Sequence, residues 1–162
     1  MFKLKNLKNP HTPVIPQTPN FYWDEVLQNN LESSKVSGDF NYIDHPGIMR
    51  NVIIQALMLQ ELREWYKKPI QINSWYRPRE YNDIVLPDNG YHSSPTSDHL
   101  HINSSAVDAE IHYNDIERVA QKWKKICNKY DVSWSIGVYD WGLHLGWRRN
   151  KDNRIWGADW WQ

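Results

Sequence analysis

The sequence of 162 residues contains a single cysteine, Cys127. An internal disulfide and a thiolate-rich zinc cluster are therefore excluded, because each needs at least two thiols. Cys127 lies in a stretch with helical periodicity, where we expect a buried and unreactive thiol.

Long apolar runs and an excess of charge of one sign are also missing. No segment reaches the roughly 20 apolar residues of a membrane helix, and the first 20 residues have no apolar run that would make a signal peptide. The 19 basic and 19 acidic residues cancel, so no overall field attracts nucleic acid or an anionic membrane. We expect a protein made soluble in the cytoplasm, without nucleic-acid binding or membrane insertion, and of open oligomeric state.

The chain is organised as one domain behind a short arm. Residues 1–20 hold four prolines and are interpreted as an extended N-terminal arm, and residues 21–162 as a single domain. Apolar periodicity predicts helices at 21–32, 48–66 and 114–130 and strands at 70–74, 106–111, 135–139 and 143–147. This order predicts an α+β fold with a small antiparallel sheet packed by helices.

Histidines and one aspartate form the most suggestive chemical pattern. His99 and His101 precede Asp108 on one predicted strand, and His144 lies between two leucines on a later one. Neighbouring antiparallel strands place such side chains close enough to share an ion. Two imidazoles and a carboxylate suit zinc and leave a fourth position for water, which zinc would activate. The alternative, histidines decorating a loop and a core edge, stays open on spacing alone.

Three motifs follow one another along the chain. Ile72-Asn73-Ser74-Trp75-Tyr76-Arg77-Pro78 comes first, then Ser97-Asp98-His99-Leu100 with Ala106-Val107-Asp108, and then Gly142-Leu143-His144-Leu145. They resemble, in order, the Ser-Gly-Tyr-Arg strand end, the Ser-x-His-x-x-Gly-x-Ala-x-Asp motif and the final histidine of one superfamily. This is the zinc D-Ala-D-Ala carboxypeptidase and L-alanyl-D-glutamate endopeptidase superfamily, which includes many phage endolysins. The helix NVIIQALMLQELREWYKKP also resembles the family's helix at that place.

The resemblance implies a hedgehog/DD-peptidase fold and a zinc-dependent carboxypeptidase or endopeptidase. The substrate implied is the stem peptide of bacterial peptidoglycan, reached at the cell wall after release of the protein, as by a phage lysis enzyme. The zinc ligands implied are His99, Asp108 and His144. In the family the first histidine ligand lies seven positions before the aspartate, and His101 has this spacing from Asp108. The Ser-x-His-Leu motif instead matches His99, with a two-residue insertion in the turn that follows. We favour His99, because a turn tolerates an insertion easily, and keep His101 as the alternative.

The resemblance further implies an acidic general base shortly before the last histidine. Asp140, four positions before His144, is the candidate. Asp140 can equally serve only to start a turn, and Glu110 is the alternative base. Arg77 resembles the family arginine that binds substrate and stabilises charge near the scissile carbonyl. Two neighbours of Arg77 are expected to line the same groove or to pack around it: Ser74 and Tyr76.

A second hypothesis comes from two departures from the family pattern. The turn before Asp108 is altered, and Gly146 stands where related sequences often carry an acidic residue. Both departures suit a relative of the same fold that has lost catalysis. Such a protein would act as a cell-wall-binding or virion structural module.

Overall fold

The computed structural model describes residues 2–3, 10–29, 42–43 and 46–157. The helices among them are α1 at 23–29, α2 at Pro46–Tyr66, α3 at Leu86–Asp88 and α4 at Ile116–Lys129. The predicted helix at 21–32 lies outside the described residues after position 29, as do residues 4–9 of the predicted arm. Within the described ranges, no helix has the length and apolar character needed to cross a membrane.

A five-stranded sheet lies at the centre of the fold, in the order β3-β4-β6-β5-β7. Its strands are β3 at Gln71–Ser74, β4 at Ser104–Glu110, β5 at Ser133–Tyr139, β6 at Gly142–Arg148 and β7 at Arg154–Trp156. A separate two-stranded pair joins β1 at Phe2–Lys3 to β2 at Tyr42–Ile43. The predicted α+β class is confirmed.

The sheet is mixed, which corrects the expectation of a wholly antiparallel one. β3, β4, β6 and β5 pair antiparallel, whereas β7 runs parallel to β5. The sequence did not predict β7, because three residues are too few for a visible alternation. Trp156 of β7 crosses closely over Gly137 of β5, where a Cβ atom would lie 2.5 Å from the indole ring. Glycine at 137 therefore allows Trp156 to reach the ring of His144, 5.0 Å away.

Helix α2 packs against β4 and α4 and contributes much of the core. It is followed by Lys67, which has a left-handed φ of 58°. Two amides on its buried side bond to strand and turn backbone: Gln55 Nε2 donates to the Leu145 carbonyl at 3.1 Å, and Asn51 Nδ2 donates to the His101 carbonyl at 2.6 Å. Since buried amides need partners, these bonds fix α2 against the segments that carry the candidate ligands.

Helix α4 packs against α2 and covers β5 and β6 with its apolar side. Trp123 Nε1 donates to the Gly146 carbonyl at 2.9 Å. Cys127 is fully buried beside the same carbonyl, and burial raises the pKa of its thiol. The prediction of a buried cysteine is therefore confirmed, and the raised pKa agrees with the expectation of an unreactive thiol.

The N-terminal segment lies against the domain. The Val14 side chain is 6% exposed, and its backbone N–H donates to the Phe21 carbonyl at 2.9 Å. Asn29 of α1 donates to Ser74 Oγ and to the Tyr76 carbonyl, both at 3.0 Å. Helix α1 therefore supports the end of β3 that leads to Arg77. The domain boundary at residue 20 stays a prediction.

Candidate metal centre

His99, Asp108 and His144 come together on one face of the sheet. Asp108 of β4 pairs directly with His144 of β6, and His99 lies in the turn of 3-10 helix at Asp98–Leu100, before β4. Asp108 Oδ1 is 3.2 Å from His99 Nε2 and 3.1 Å from His144 Nδ1. Ligands about 2.1 Å from one tetrahedral ion lie roughly 3.4 Å apart. The three groups, whose ligand atoms all lie within 4.8 Å of one another, could therefore hold a metal ion.

His99 is held in place by backbone on both sides. Its Nδ1 lies 2.7 Å from the Trp75 carbonyl, and its own carbonyl accepts the Arg77 N–H at 2.8 Å. The Ser97 hydroxyl accepts the His99 backbone N–H at 3.4 Å. An Nδ1–H bonded to a carbonyl leaves the Nε2 lone pair free for a metal ion, which is the usual arrangement of a histidine ligand.

His101 lies away from the cluster. It has a left-handed φ of 56° and closes the turn, so its ring points back into the start of β4. There its Nε2 is 3.2 Å from the Ala106 carbonyl, and its Nδ1 is 3.1 Å from Ser105 Oγ. The structure thus places His99, and not His101, beside Asp108 and His144.

The charges in the cluster suit a cation. Burial lowers the pKa of His99 to about 4, with the Arg77 charge acting in the same direction, so its imidazole is neutral at pH 7. Burial opposes ionisation of Asp108, but the neighbouring His99 and His144 outweigh it and lower the pKa of the carboxyl. Burial also opposes a charge on His144, yet its hydrogen bond to Asp108 and the negative charge of Asp98 raise its pKa. A metal ion bound at Nδ1 would compete with a proton for that nitrogen.

Arg77 is tied to the cluster through the second oxygen of Asp108. Its Nη2 donates to Asp108 Oδ2 at 2.8 Å and its Nε donates to Ser74 Oγ at 3.1 Å. Ser74 is opposite Asp108 in the β3–β4 pairing, so the strand register brings these groups together. Tyr76, in contrast, is fully buried with its ring edge against His101, 5.8 Å between centroids, and belongs to the core.

An open cavity of about 400 Å³ adjoins the cluster. Its wall includes Arg77 and the three candidate ligands, together with groups that sequence reasoning had not selected: His92, Asp98, Tyr139, Arg154 and Trp156. Asp98 precedes His99 in the sequence, at the variable position of the Ser-x-His motif. Arg154 and Trp156 reach the cavity from β7, the strand that the sequence did not predict.

Neither candidate general base lies on the wall of this cavity. Asp140 is exposed in the two-residue turn between β5 and β6. Glu110 is exposed at the end of β4, where it accepts a hydrogen bond from Gln71 Nε2 at 3.0 Å. The expected role of either residue stays a prediction.

Comparison with known proteins gives no match to this chain among family models, curated proteins or solved structures. The function must therefore be argued from the site itself.

Proposed function

We propose that the chain is a zinc-dependent peptidase of the hedgehog/DD-peptidase fold that hydrolyses a peptide bond in the stem peptides of bacterial peptidoglycan. The observation that carries the proposal is the cluster of His99, Asp108 and His144 at an open cavity. Catalytic zinc sites use such ligand sets and keep a fourth position open. Zinc held there would supply Lewis-acid activation of water and of a substrate carbonyl.

Arg77 is the substrate-binding residue of this proposal. Its bonds to Asp108 and Ser74 hold the guanidinium on the cavity wall. A guanidinium has five N–H donors, so donors remain for a peptide carboxylate or for the charge that develops on a scissile carbonyl. Stem peptides carry both groups.

Aromatic side chains extend the cavity towards the β5–β6 turn. Tyr139 lines the cavity, and Trp141 stacks on it with the ring centroids 4.9 Å apart and an interplanar angle of 5°. Trp141 is 41% exposed, whereas Trp147 of the same hairpin is fully buried in the core. Trp141 and Tyr139 therefore offer a flat surface on which substrate groups can stack.

The test measures zinc content and peptidoglycan hydrolysis on the same preparation of the protein. We expect about one zinc per chain and zinc-dependent release of new amino groups from purified peptidoglycan. His99→Ala should lose both zinc and activity. His101→Ala is the matched control: it should keep zinc while losing about 1–3 kcal/mol of stability, because its buried partners at Ser105 and Ala106 lose their bonds. A folded His99→Ala variant with full zinc content would rule out the site.

A second candidate function is a non-catalytic relative of the same fold, serving as a cell-wall-binding or virion structural module. One observation favours it: on the described part of the cavity wall, Asp98 and Asp108 are the only carboxylates, and both are engaged with neighbouring groups. This candidate predicts that the zinc-loaded protein binds peptidoglycan without releasing amino groups. The same assay therefore separates the two functions.

A further inference from the structure

A second carboxylate faces His144 from the side away from Asp108. Asp98 is fully buried, and its Oδ2 lies 3.8 Å from His144 Nε2. Among the described residues, His144 Nε2 is buried without a hydrogen-bond partner. His99 differs in this respect, because its second ring nitrogen already meets the Trp75 carbonyl at 2.7 Å.

The tautomer that a metal ion requires explains why this nitrogen needs an acceptor. His144 presents Nδ1 to the cluster, 3.1 Å from Asp108 Oδ1. A neutral imidazole that binds a metal through Nδ1 carries its proton on Nε2. That N–H is then a buried donor, and a buried donor without an acceptor is costly. Asp98 Oδ2 is the carboxylate oxygen placed to accept it after a movement of about 1 Å.

Asp98 is held in this position by groups from three strands. Ser135 Oγ of β5 donates to Asp98 Oδ2 at 2.7 Å, and Arg154 Nη2 of β7 donates to the same oxygen. Arg148 Nε of β6 lies 3.4 Å from Oδ1. A buried carboxylate needs such partners, so they explain why Asp98 is tolerated. They do not explain why the unbonded nitrogen of His144 faces it.

Gly146 leaves the approach to His144 open. It follows His144 by two residues on β6 and pairs with Ser135. A Cβ atom at position 146 would lie 3.0 Å from His144 Nε2 and 3.2 Å from Ser135 Cβ. A side chain at position 146 would enter the space between His144 and Ser135, the residue that bonds to Asp98. Glycine therefore leaves this space open to the Asp98 carboxylate.

We propose that Asp98 is a positioning residue for the metal centre: its carboxylate accepts a hydrogen bond from Nε2–H of His144 when Nδ1 binds the ion, which fixes the ring and strengthens metal binding. The inference rests on the metal site of the proposed function and does not depend on the peptidase reaction. The segment Ser97-Asp98-His99 then contributes to the metal centre in two ways: His99 provides a ligand, and Asp98 orients His144.

The experiment is a zinc competition against a chromophoric chelator, with the full chain, for wild type, Asp98→Asn and Asp115→Asn. Asp98→Asn should bind zinc about 10- to 100-fold more weakly, because a neutral amide oxygen is a weaker acceptor for the histidine ligand than a carboxylate. Asp115 is the matched control. It is also a buried carboxylate, bonded to Tyr66 at 2.8 Å and to Lys68 and Arg118 at 2.7 Å, outside the cluster. Asp115→Asn should leave zinc affinity unchanged.

A second measurement uses the wild type alone, so it stands even if Asp98→Asn does not fold. In zinc-loaded protein labelled with ¹⁵N in histidine, the His144 ring should carry its proton on Nε2, and that proton should exchange slowly and resonate downfield. A rapidly exchanging Nε2 proton would overturn the proposal, as would unchanged zinc affinity in folded Asp98→Asn. In both cases the metal site itself would stand. No zinc binding by wild type would overturn the site and the inference together.

Discussion

At the scale of single residues, the two oxygens of Asp108 have different partners. Oδ1 faces His99 and His144, whereas Oδ2 accepts a hydrogen bond from Arg77. Arg77 therefore bonds to the Asp108 oxygen that faces neither histidine, while its Nε donates to Ser74 Oγ. Lysine cannot reproduce these two directed bonds, because its ammonium acts as a single point of charge.

Arg77→Lys should separate substrate binding from metal binding. If the chain is the proposed peptidase, its kcat/KM on peptidoglycan should fall about 100-fold, the typical effect of losing one donor to a developing oxyanion. Zinc affinity should change less than about tenfold, because both histidine ligands keep their contacts. Steady-state hydrolysis and chelator competition measure the two effects. Arg79→Lys, an exposed arginine two residues further on, is the control and should resemble wild type; equal losses in the two variants would refute a specific role of Arg77.

Residue identities in the site could be predicted only in part. The motif and its spacing restricted the first metal ligand to His99 or His101. The choice between them depends on the left-handed φ of His101, which sets the direction of its ring. Few residues other than glycine adopt that conformation, and nothing in the motif indicates it. The role of Asp98 was equally hidden, because its partners Ser135 and Arg154 lie 37 and 56 residues away in the sequence.

At the scale of elements, the start of α1 contains an ionisable group with an unusual environment. Glu25 Oε2 accepts the Tyr22 backbone N–H at 2.7 Å. Burial raises the pKa of Glu25 from 4.5 to about 7. The folded state thus binds this proton more tightly than the unfolded chain does. The contribution of Glu25 to stability is therefore most favourable below about pH 4.5, and it declines as the pH rises towards 7.

Glu25→Gln should remove this pH dependence. Glutamine keeps an oxygen for the Tyr22 N–H but cannot ionise. We expect the variant to be more stable than wild type at pH 8 by roughly 1 kcal/mol after allowance for partial exposure, or about 2–4 °C in Tm. At pH 5 the difference should be much smaller. Thermal unfolding at both pH values is the measurement, with exposed Glu64→Gln as control; an equal Tm difference at pH 5 and pH 8 would contradict the raised pKa.

Apolar periodicity predicted the longer elements of the fold. Helices α2 and α4 and strands β3 to β6 were located to within a few residues, because each buries a regular set of apolar positions. β7 was not, since Arg154–Trp156 is short, half-buried and follows a polar turn. Its parallel pairing with β5 depends on tertiary contacts, which is why the β7 contribution to the cavity was missed as well.

At the scale of the whole molecule, the candidate metal site links segments that are distant in sequence. His99 belongs to the turn before β4, Asp108 to β4, and His144 to β6. The unfolded chain does not hold these groups together, so an ion that binds all three stabilises the folded state by mass action. At a free zinc concentration 100 times Kd the gain is about 2.7 kcal/mol, or roughly 5–10 °C in Tm for a chain of this size.

Thermal unfolding with zinc and with a chelator should therefore differ by about this amount in wild type. His144→Ala should unfold at the same temperature in both conditions, because one of the three ligand groups is gone. Cys127→Ser is the opposite control: its thiol, on α4, is buried against β6 outside the cluster, so its zinc-dependent shift should equal that of wild type even if its Tm is lower. Loss of the shift in Cys127→Ser would mean that the ligand set includes the thiol, and an equal Tm of wild type in both conditions would mean that the three residues hold no metal.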